Sequence, residues 1–114
     1  MTPEPEDLLE HIVDYLCAEQ AEALAGLSDA EIRRRAAAAI ARAQSHGFTE
    51  PEPITAYASL MFLVAPDFDR QPAIARALAA EAPEAERIAL LFQKTREADW
   101  DAAAAGTQGW DAPV

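Results

Sequence analysis

Cysteine is nearly absent from this sequence of 114 residues, which contains Cys17 alone. One cysteine cannot form an internal disulfide, so nothing in the chain requires an oxidising compartment. Long apolar runs are absent too, because the longest, at 60–66, is far short of the roughly 20 residues that a membrane-spanning helix needs. The first residues lack the positive and apolar regions of a secretory leader. We therefore expect a cytoplasmic protein without a membrane segment.

Basic residues are also scarce, since nine Lys and Arg stand against 20 Asp and Glu and the formal net charge is −11. Nucleic-acid affinity depends mainly on basic side chains that neutralise phosphates, so this balance argues against nucleic-acid binding and against anionic membranes. The charge is uneven. Residues 1–27 contain seven acidic and no basic residues, whereas residues 28–48 contain four arginines and two acidic residues.

What the sequence does contain is a succession of helix signals. Thr2 and Pro3 suit the N-cap and first turn of a helix whose apolar stripe runs over 8–16. Helical character is expected to continue weakly to Leu24 and to stop at Gly26.

Capping boxes predict the second and third helices. Residues 28–31, Ser-Asp-Ala-Glu, begin a helix that ends where Gly47 supplies a left-handed residue. Residues 49–52, Thr-Glu-Pro-Glu, repeat the box before a third helix, Pro53 to Ala65. Its apolar residues cover most of the circumference, so this helix is expected at the centre of the fold.

Prolines divide the rest of the chain. Pro66 ends the third helix, and residues 67–69, Asp-Phe-Asp, are expected to form a turn whose carboxylates accept local backbone amides while the phenyl ring points inward. A short fourth helix begins near Pro72, and a fifth follows Pro83 and fades after Ala105.

The predicted fold is all-α, a compact single-domain bundle of four to five helices with short loops at 1–105 and an irregular tail at 106–114. Alanine buries little area per residue, so the core must consist of larger side chains. We assign to it Leu8, Leu9, Ile12, Val13, Leu16, Ile32, Ile40, Ile54, Tyr57, Leu60, Met61, Leu63, Val64, Phe68, Ile74, Leu78, Ile88, Leu91, Phe92 and Trp100.

Histidine and cysteine offer the main hint of catalysis. A small metal-dependent hydrolase could be built on His11, Asp14 and Cys17, but these residues lack the partners and spacing that such sites need. We interpret His11 as a surface residue and His46 as a cation near the C-terminal end of the second helix. The acidic turn at 67–69 lacks the remaining ligands of a calcium loop. We therefore predict no catalytic residue, no metal site and no cofactor.

Two surfaces are predicted to contact another protein. Glu10, Asp14 and Glu19 form the acidic side of the first helix and would face a basic partner, with a merely solvated surface as the alternative. Trp110 is a large aromatic in a polar tail, so it is expected to dock either on a partner or on its own domain. The arginines at 33–35 fan over about 200° of a helix; we expect them to pair within the chain, with an anion site as the alternative.

Residues 41–68 also carry a family resemblance. The features are an Arg-Ala pair at 42–43, a His-Gly break at 46–47, Leu-Met-Phe at 60–62 in an aromatic-rich helix, and a Pro-Asp-Phe-Asp turn at 66–69, with Trp100 downstream. In these the chain resembles short helical proteins found in gene clusters of bacterial type VI secretion, beside effectors and their adaptors. The resemblance extends over most of the chain and implies an accessory binding role without a reaction.

The sequence therefore predicts a non-enzymatic protein-interaction module, such as an adaptor, chaperone or immunity-like accessory of a type VI secretion effector. Its partner is another protein, and a homo-oligomer stays open. The alternatives are a small metal-dependent hydrolase and an acidic inhibitor that mimics nucleic acid, for which acidity is the only support.

Overall fold

The computed structural model describes residues 5–107, 109 and 110, which form six α-helices and no strand. The all-α class is thus confirmed, whereas the expected number of four to five helices is too low. Within these residues no helix combines the length and apolarity that crossing a membrane requires. The predicted cap at Thr2 lies outside the described residues. The helices are α1 (Pro5–Glu19), α2 (Asp29–Ser45), α3 (Pro51–Leu63), α4 (Pro72–Leu78), α5 (Glu84–Gln93) and α6 (Glu97–Ala105).

The first helix is shorter than predicted. Helix α1 ends at Glu19, and residues 21–26 form successive turns rather than a helical extension to Leu24. Gly26, at φ +84°, adopts the left-handed conformation expected of the residue that stops the segment.

The N-terminus of α2 follows half of the predicted capping box. The Oγ atom of Ser28 accepts a hydrogen bond from the backbone N–H of Glu31 at 3.1 Å. The carboxylate of Glu31 does not return to the cap, because it binds the guanidinium groups of Arg34 and Arg35 instead. At the other end, Gly47 adopts φ +87° and reverses the chain, as predicted.

The capping box predicted at residues 49–52 is wrong, because the cap of α3 comes from another helix. The Glu84 carboxylate, at the start of α5, accepts hydrogen bonds from the backbone N–H and the hydroxyl of Thr49 and from the backbone N–H of Glu50. These amides would otherwise lack partners next to the first turn of a helix. Glu84 thereby ties the start of α5 to the start of α3, which begins at Pro51.

The predicted fifth helix is two helices, α5 and α6. At the break, the Thr95 hydroxyl donates to the Leu91 carbonyl and accepts from the Trp100 Nε1–H at 2.9 Å. The Asp99 carboxylate accepts from the backbone N–H of Arg96 at 2.8 Å and so begins a new helix. Side chain to backbone bonds stop the helix here, and no proline or glycine marks the position.

Helix α3 is at the centre, as predicted, and packs against α1, α2 and α5. It buries Ile54, Tyr57, Leu60 and Met61, but the last residue of the helix, Leu63, is 61% exposed because its neighbours do not surround the final turn. This corrects the core assignment.

Phe92 is a second correction to the predicted core. It is 59% exposed, because α5 turns Leu91 into the core and the next residue lies about 100° further round the helix. Phe48, which lies outside any helix, is fully buried instead.

Candidate functional site

The most concentrated polar chemistry in the described chain surrounds one buried carboxylate, that of Asp69. Its Oδ2 atom accepts from Arg42 Nε at 2.7 Å, from the Tyr57 hydroxyl at 2.8 Å and from His46 Nε2 at 2.7 Å. Its Oδ1 atom accepts from Arg42 Nη2 at 2.6 Å. The turn predicted at 67–69 is confirmed. The expectation that the Asp69 carboxylate accepts local backbone amides is wrong, because it accepts from side chains of α3 and of the C-terminal end of α2.

Each member of this Asp69 cluster is held by a different local feature. Arg42 and His46 are four residues apart, so they share one face at the end of α2. Tyr57 projects from the buried centre of α3, and Asp69 lies in the 3₁₀ turn Phe68–Arg70 that follows that helix. The inward position predicted for Phe68 is confirmed, since the side chain is fully buried with its ring centroid 4.9 Å from that of Tyr57.

Arg87 of α5 contacts the C-terminal end of α2 beside this cluster. Its Nη1 atom donates to the His46 carbonyl at 2.7 Å, and its guanidinium carbon lies 4.4 Å above the centroid of the Phe48 ring. A charged group stacked in this way covers an aromatic face while it satisfies a helix-terminal carbonyl. The end of α2 is therefore fixed from both sides.

The charges in the Asp69 cluster compensate each other. Burial alone would raise the pKa of the Asp69 carboxyl, but the donors on Arg42, His46 and Tyr57 outweigh it and hold that pKa below its ordinary value. The same contact with Asp69 raises the pKa of Arg42, and burial raises the pKa of Tyr57. An ionised carboxylate only accepts, so the His46 Nε2 atom carries the proton in this contact.

The Asp69 cluster is suited to holding α2, α3 and the 3₁₀ turn together. Four hydrogen bonds occupy most of the acceptor capacity of one carboxylate, so Asp69 has little left to offer a substrate or a metal ion. His46 and Asp69 form a pair that resembles the base half of a nucleophilic site, but among the described residues no serine, threonine or cysteine side chain is hydrogen-bonded to His46.

The residues considered for metal or hydrolase chemistry lie elsewhere. His11, Asp14 and Cys17 are all exposed on α1. Across the described ranges, no group of three His, Cys, Asp or Glu side chains is arranged to hold a metal ion.

The acidic residues predicted to bind a partner do not form one surface. Glu10 and Asp14 lie on the same side of α1, but the helical repeat places Glu19 about 180° from Glu10. Glu10 is also bound to Arg33 of α2, whose hydrogen bond lowers the pKa of that carboxyl. Asp14 and Glu19 are exposed.

The arginines at 33–35 all pair within the chain, as expected. Arg33 binds Glu10 of α1, and both Arg34 and Arg35 bind Glu31, whose pKa these two hydrogen bonds lower to about 2. Three side chains that fan around α2 therefore have carboxylate partners already.

Trp110 packs on its own domain. Its ring centroid lies 4.9 Å from that of Phe62 on α3, and the Arg35 guanidinium of α2 lies 5.3 Å above the ring. Docking on its own domain, one of the two alternatives from the sequence, is thus observed, and a contact of Trp110 with a partner stays a prediction.

Trp110 also forms the wall of an open groove. A depression of about 370 Å³ lies between α2 and the turn after α3, and it is lined by Ala38, Ala41, Arg42, Ser45, Met61, Pro66, Asp67, Arg70, Gly109 and Trp110. A second depression, of about 310 Å³, adjoins it at Asp67 and Arg70 and extends to Ala102 and Ala103 of α6. We call the two together the Arg70 groove.

The sequence did not reveal this groove or the Asp69 cluster. The one local signal of the Asp69 cluster was the spacing of Arg42 and His46, which places them on a common helical face. Asp69 follows Phe68, which was predicted to point inward.

Comparison with known protein families, with curated proteins and with solved structures finds no match to this chain.

Proposed function

We propose that this chain is a non-enzymatic protein-interaction module that receives an extended segment of another protein in the Arg70 groove. The observation that carries the proposal is the groove itself, an open trough of two adjoining depressions that combines apolar walls with a few polar groups. Interfaces between proteins likewise combine an apolar core with a polar rim.

The shape of the groove favours a chain segment over a small molecule. Small-molecule sites enclose most of their ligand. The two depressions of the Arg70 groove share Asp67 and Arg70 and are lined by residues of α2, the 3₁₀ turn and α6, so together they suit an extended peptide that leaves one side in solvent.

The Asp69 cluster also holds the walls of the groove in place. The Asp69 cluster fixes Arg42 on one wall and the turn that carries Arg70 on the other, through a bidentate contact and two further hydrogen bonds. A binding site whose side chains are already immobilised loses less conformational entropy when it closes on a partner.

A more specific form of the proposal is an accessory of a type VI secretion effector, acting in the cytoplasm as adaptor, chaperone or immunity-like protein. Its support is the resemblance of residues 41–68. Contacts of Asp14, Glu19 and Glu10 with a partner protein stay a prediction, in addition to binding in the groove.

Site-specific photo-crosslinking tests the proposed function. A photoreactive amino acid at Ala41, in the groove, is expected to trap one discrete protein in cells that make the chain naturally. The same group at Ala85, exposed on α5 and outside the groove, is the control.

A pair of blocking variants completes this test. Ala38→Trp fills the groove and should abolish the adduct, whereas Ala37→Trp, on the neighbouring exposed position of α2, should not. Equal adducts at positions 41 and 85, or an adduct that survives Ala38→Trp, would contradict the proposal.

A further inference from the structure

We infer that the segment bound in the Arg70 groove carries a carboxylate, an Asp or Glu side chain, that binds the Arg70 guanidinium. The inference rests on the proposed function and specifies its ligand. Three observations lead to it: the position of Arg70, its lack of an ion-pair partner, and the way the other charges of the groove are already used.

Arg70 is common to both depressions, so any segment that lies along the whole groove passes over it. The side chain is exposed and forms no ion pair within the described residues. Arg42, the other arginine that lines the groove, is by contrast paired with Asp69. Arginines 33, 34, 35 and 42 all have carboxylate partners.

The remaining charges of the groove leave Arg70 as the group that selects a ligand. The charge of Arg42, which also lines the first depression, is compensated by Asp69 through two hydrogen bonds. Asp67, which lines both depressions, has a contact within the chain, and its Oδ1 atom is buried away from the groove surface. An incoming carboxylate would thus meet the unpaired Arg70 guanidinium, whose two parallel N–H donors form the fork that carboxylates prefer.

The overall acidity of the protein does not prevent this contact. At physiological ionic strength, charges separated by more than about 8 Å are largely screened, whereas a direct contact in a groove is screened much less. Long-range repulsion by the net charge of −11 instead disfavours strongly acidic segments as a whole. We therefore expect one carboxylate beside apolar residues, which would pack on Met61, Pro66 and Trp110.

The experiment is selection of peptides on the full chain. A display library of random short peptides is panned on the immobilised protein, and the enriched peptides are synthesised and titrated by fluorescence anisotropy. We expect enrichment of an Asp or Glu with an aromatic or aliphatic neighbour. Arg70→Glu should weaken binding by roughly tenfold or more, since hydrogen bonds to charged groups are lost.

Two controls isolate the role of Arg70. Arg76→Glu makes the same change of charge at an exposed arginine of α4 outside the groove, and it should leave the affinity within about twofold. Changing the selected acidic residue of the peptide to Gln or Asn should weaken binding to the wild-type protein but strengthen binding to Arg70→Glu, because it removes the like-charge repulsion that the variant introduces. Circular dichroism verifies that both variants fold.

The outcomes separate this inference from the proposed function. Peptides that bind the groove, as shown by loss of binding in Ala38→Trp, but that lack a carboxylate or respond equally to Arg70→Glu and Arg76→Glu would overturn the inference alone. Selection of basic peptides would overturn it as well. If no peptide is enriched, or if Ala38→Trp binds as well as the wild type, both the proposed function and the inference are wrong.

Discussion

Removing the charge of Asp69 is the most informative single perturbation of this fold. The variant Asp69→Asn keeps the shape of the side chain but replaces a carboxylate that accepts four hydrogen bonds with a neutral amide. The Asp69 side chain is 5% exposed and that of Arg42 is 21% exposed, so the arginine would lose its partner in a largely buried position. Breaking a buried ion pair on one side costs about 3–5 kcal/mol.

The partial exposure of Arg42 places the expected loss at the lower end of that range, because water can reach part of the guanidinium. We expect the free energy of unfolding to fall by about 3 kcal/mol, which for a domain of this size lowers the Tm by about 10 °C. Urea denaturation followed by circular dichroism at helical wavelengths measures it, provided that the m-value is unchanged.

The control is Asp101→Asn, an exposed position on α6, which should change the free energy of unfolding by less than about 0.5 kcal/mol. A loss below about 1 kcal/mol in Asp69→Asn would refute the view that the cluster anchors the fold.

Three further predictions concern acidity, capping and the core. The pKa of Asp69 is lowered in the folded state, so its contribution to the free energy of unfolding is complete above the ordinary value of 3.8 and is lost as the pH falls through the lowered pKa. The difference in stability between wild type and Asp69→Asn should therefore close in acid. A difference that is constant with pH would contradict this. Glu84→Gln removes the charge that caps α3 and should cost about 1 kcal/mol in chemical denaturation, while Glu86→Gln, exposed on the same turn of α5, should be nearly neutral. Phe48→Ala should cost about 3–5 kcal/mol and Phe92→Ala less than about 1 kcal/mol, because the first ring is fully buried and the second is 59% exposed; similar losses would contradict the assignment of the core.

The elements that the sequence predicts well are those with local signals. The serine at 28 begins α2, Gly47 ends it, and Pro72 begins α4, because each acts on the backbone within a few residues. The periodic apolar residues of α1 likewise indicate which side is buried, since a helix repeats its faces every 3.6 residues.

The errors fall where structure depends on distant partners. The cap of α3 is Glu84, 35 residues beyond Thr49, and the separation of α5 from α6 depends on the contacts of Thr95 and Asp99. Phe48 follows the end of a helix, so no helical period includes it, yet it is buried beneath Arg87. Such contacts are set by the packing of helices that are far apart in sequence.

The Asp69 cluster is the clearest case of this limit, and it links stability to binding. Asp69 is 27 residues from Arg42 and 12 from Tyr57, so neither spacing nor composition could pair them. In the structure the same carboxylate fixes Arg42 on one wall of the groove and holds the turn that carries Arg70 on the other. The two walls therefore depend on one buried charge. Loss of that charge should therefore destabilise the groove as well as the core. Arg42 would lose its hydrogen bonds to Asp69, and the turn that carries Arg70 would lose its link to α2 and α3.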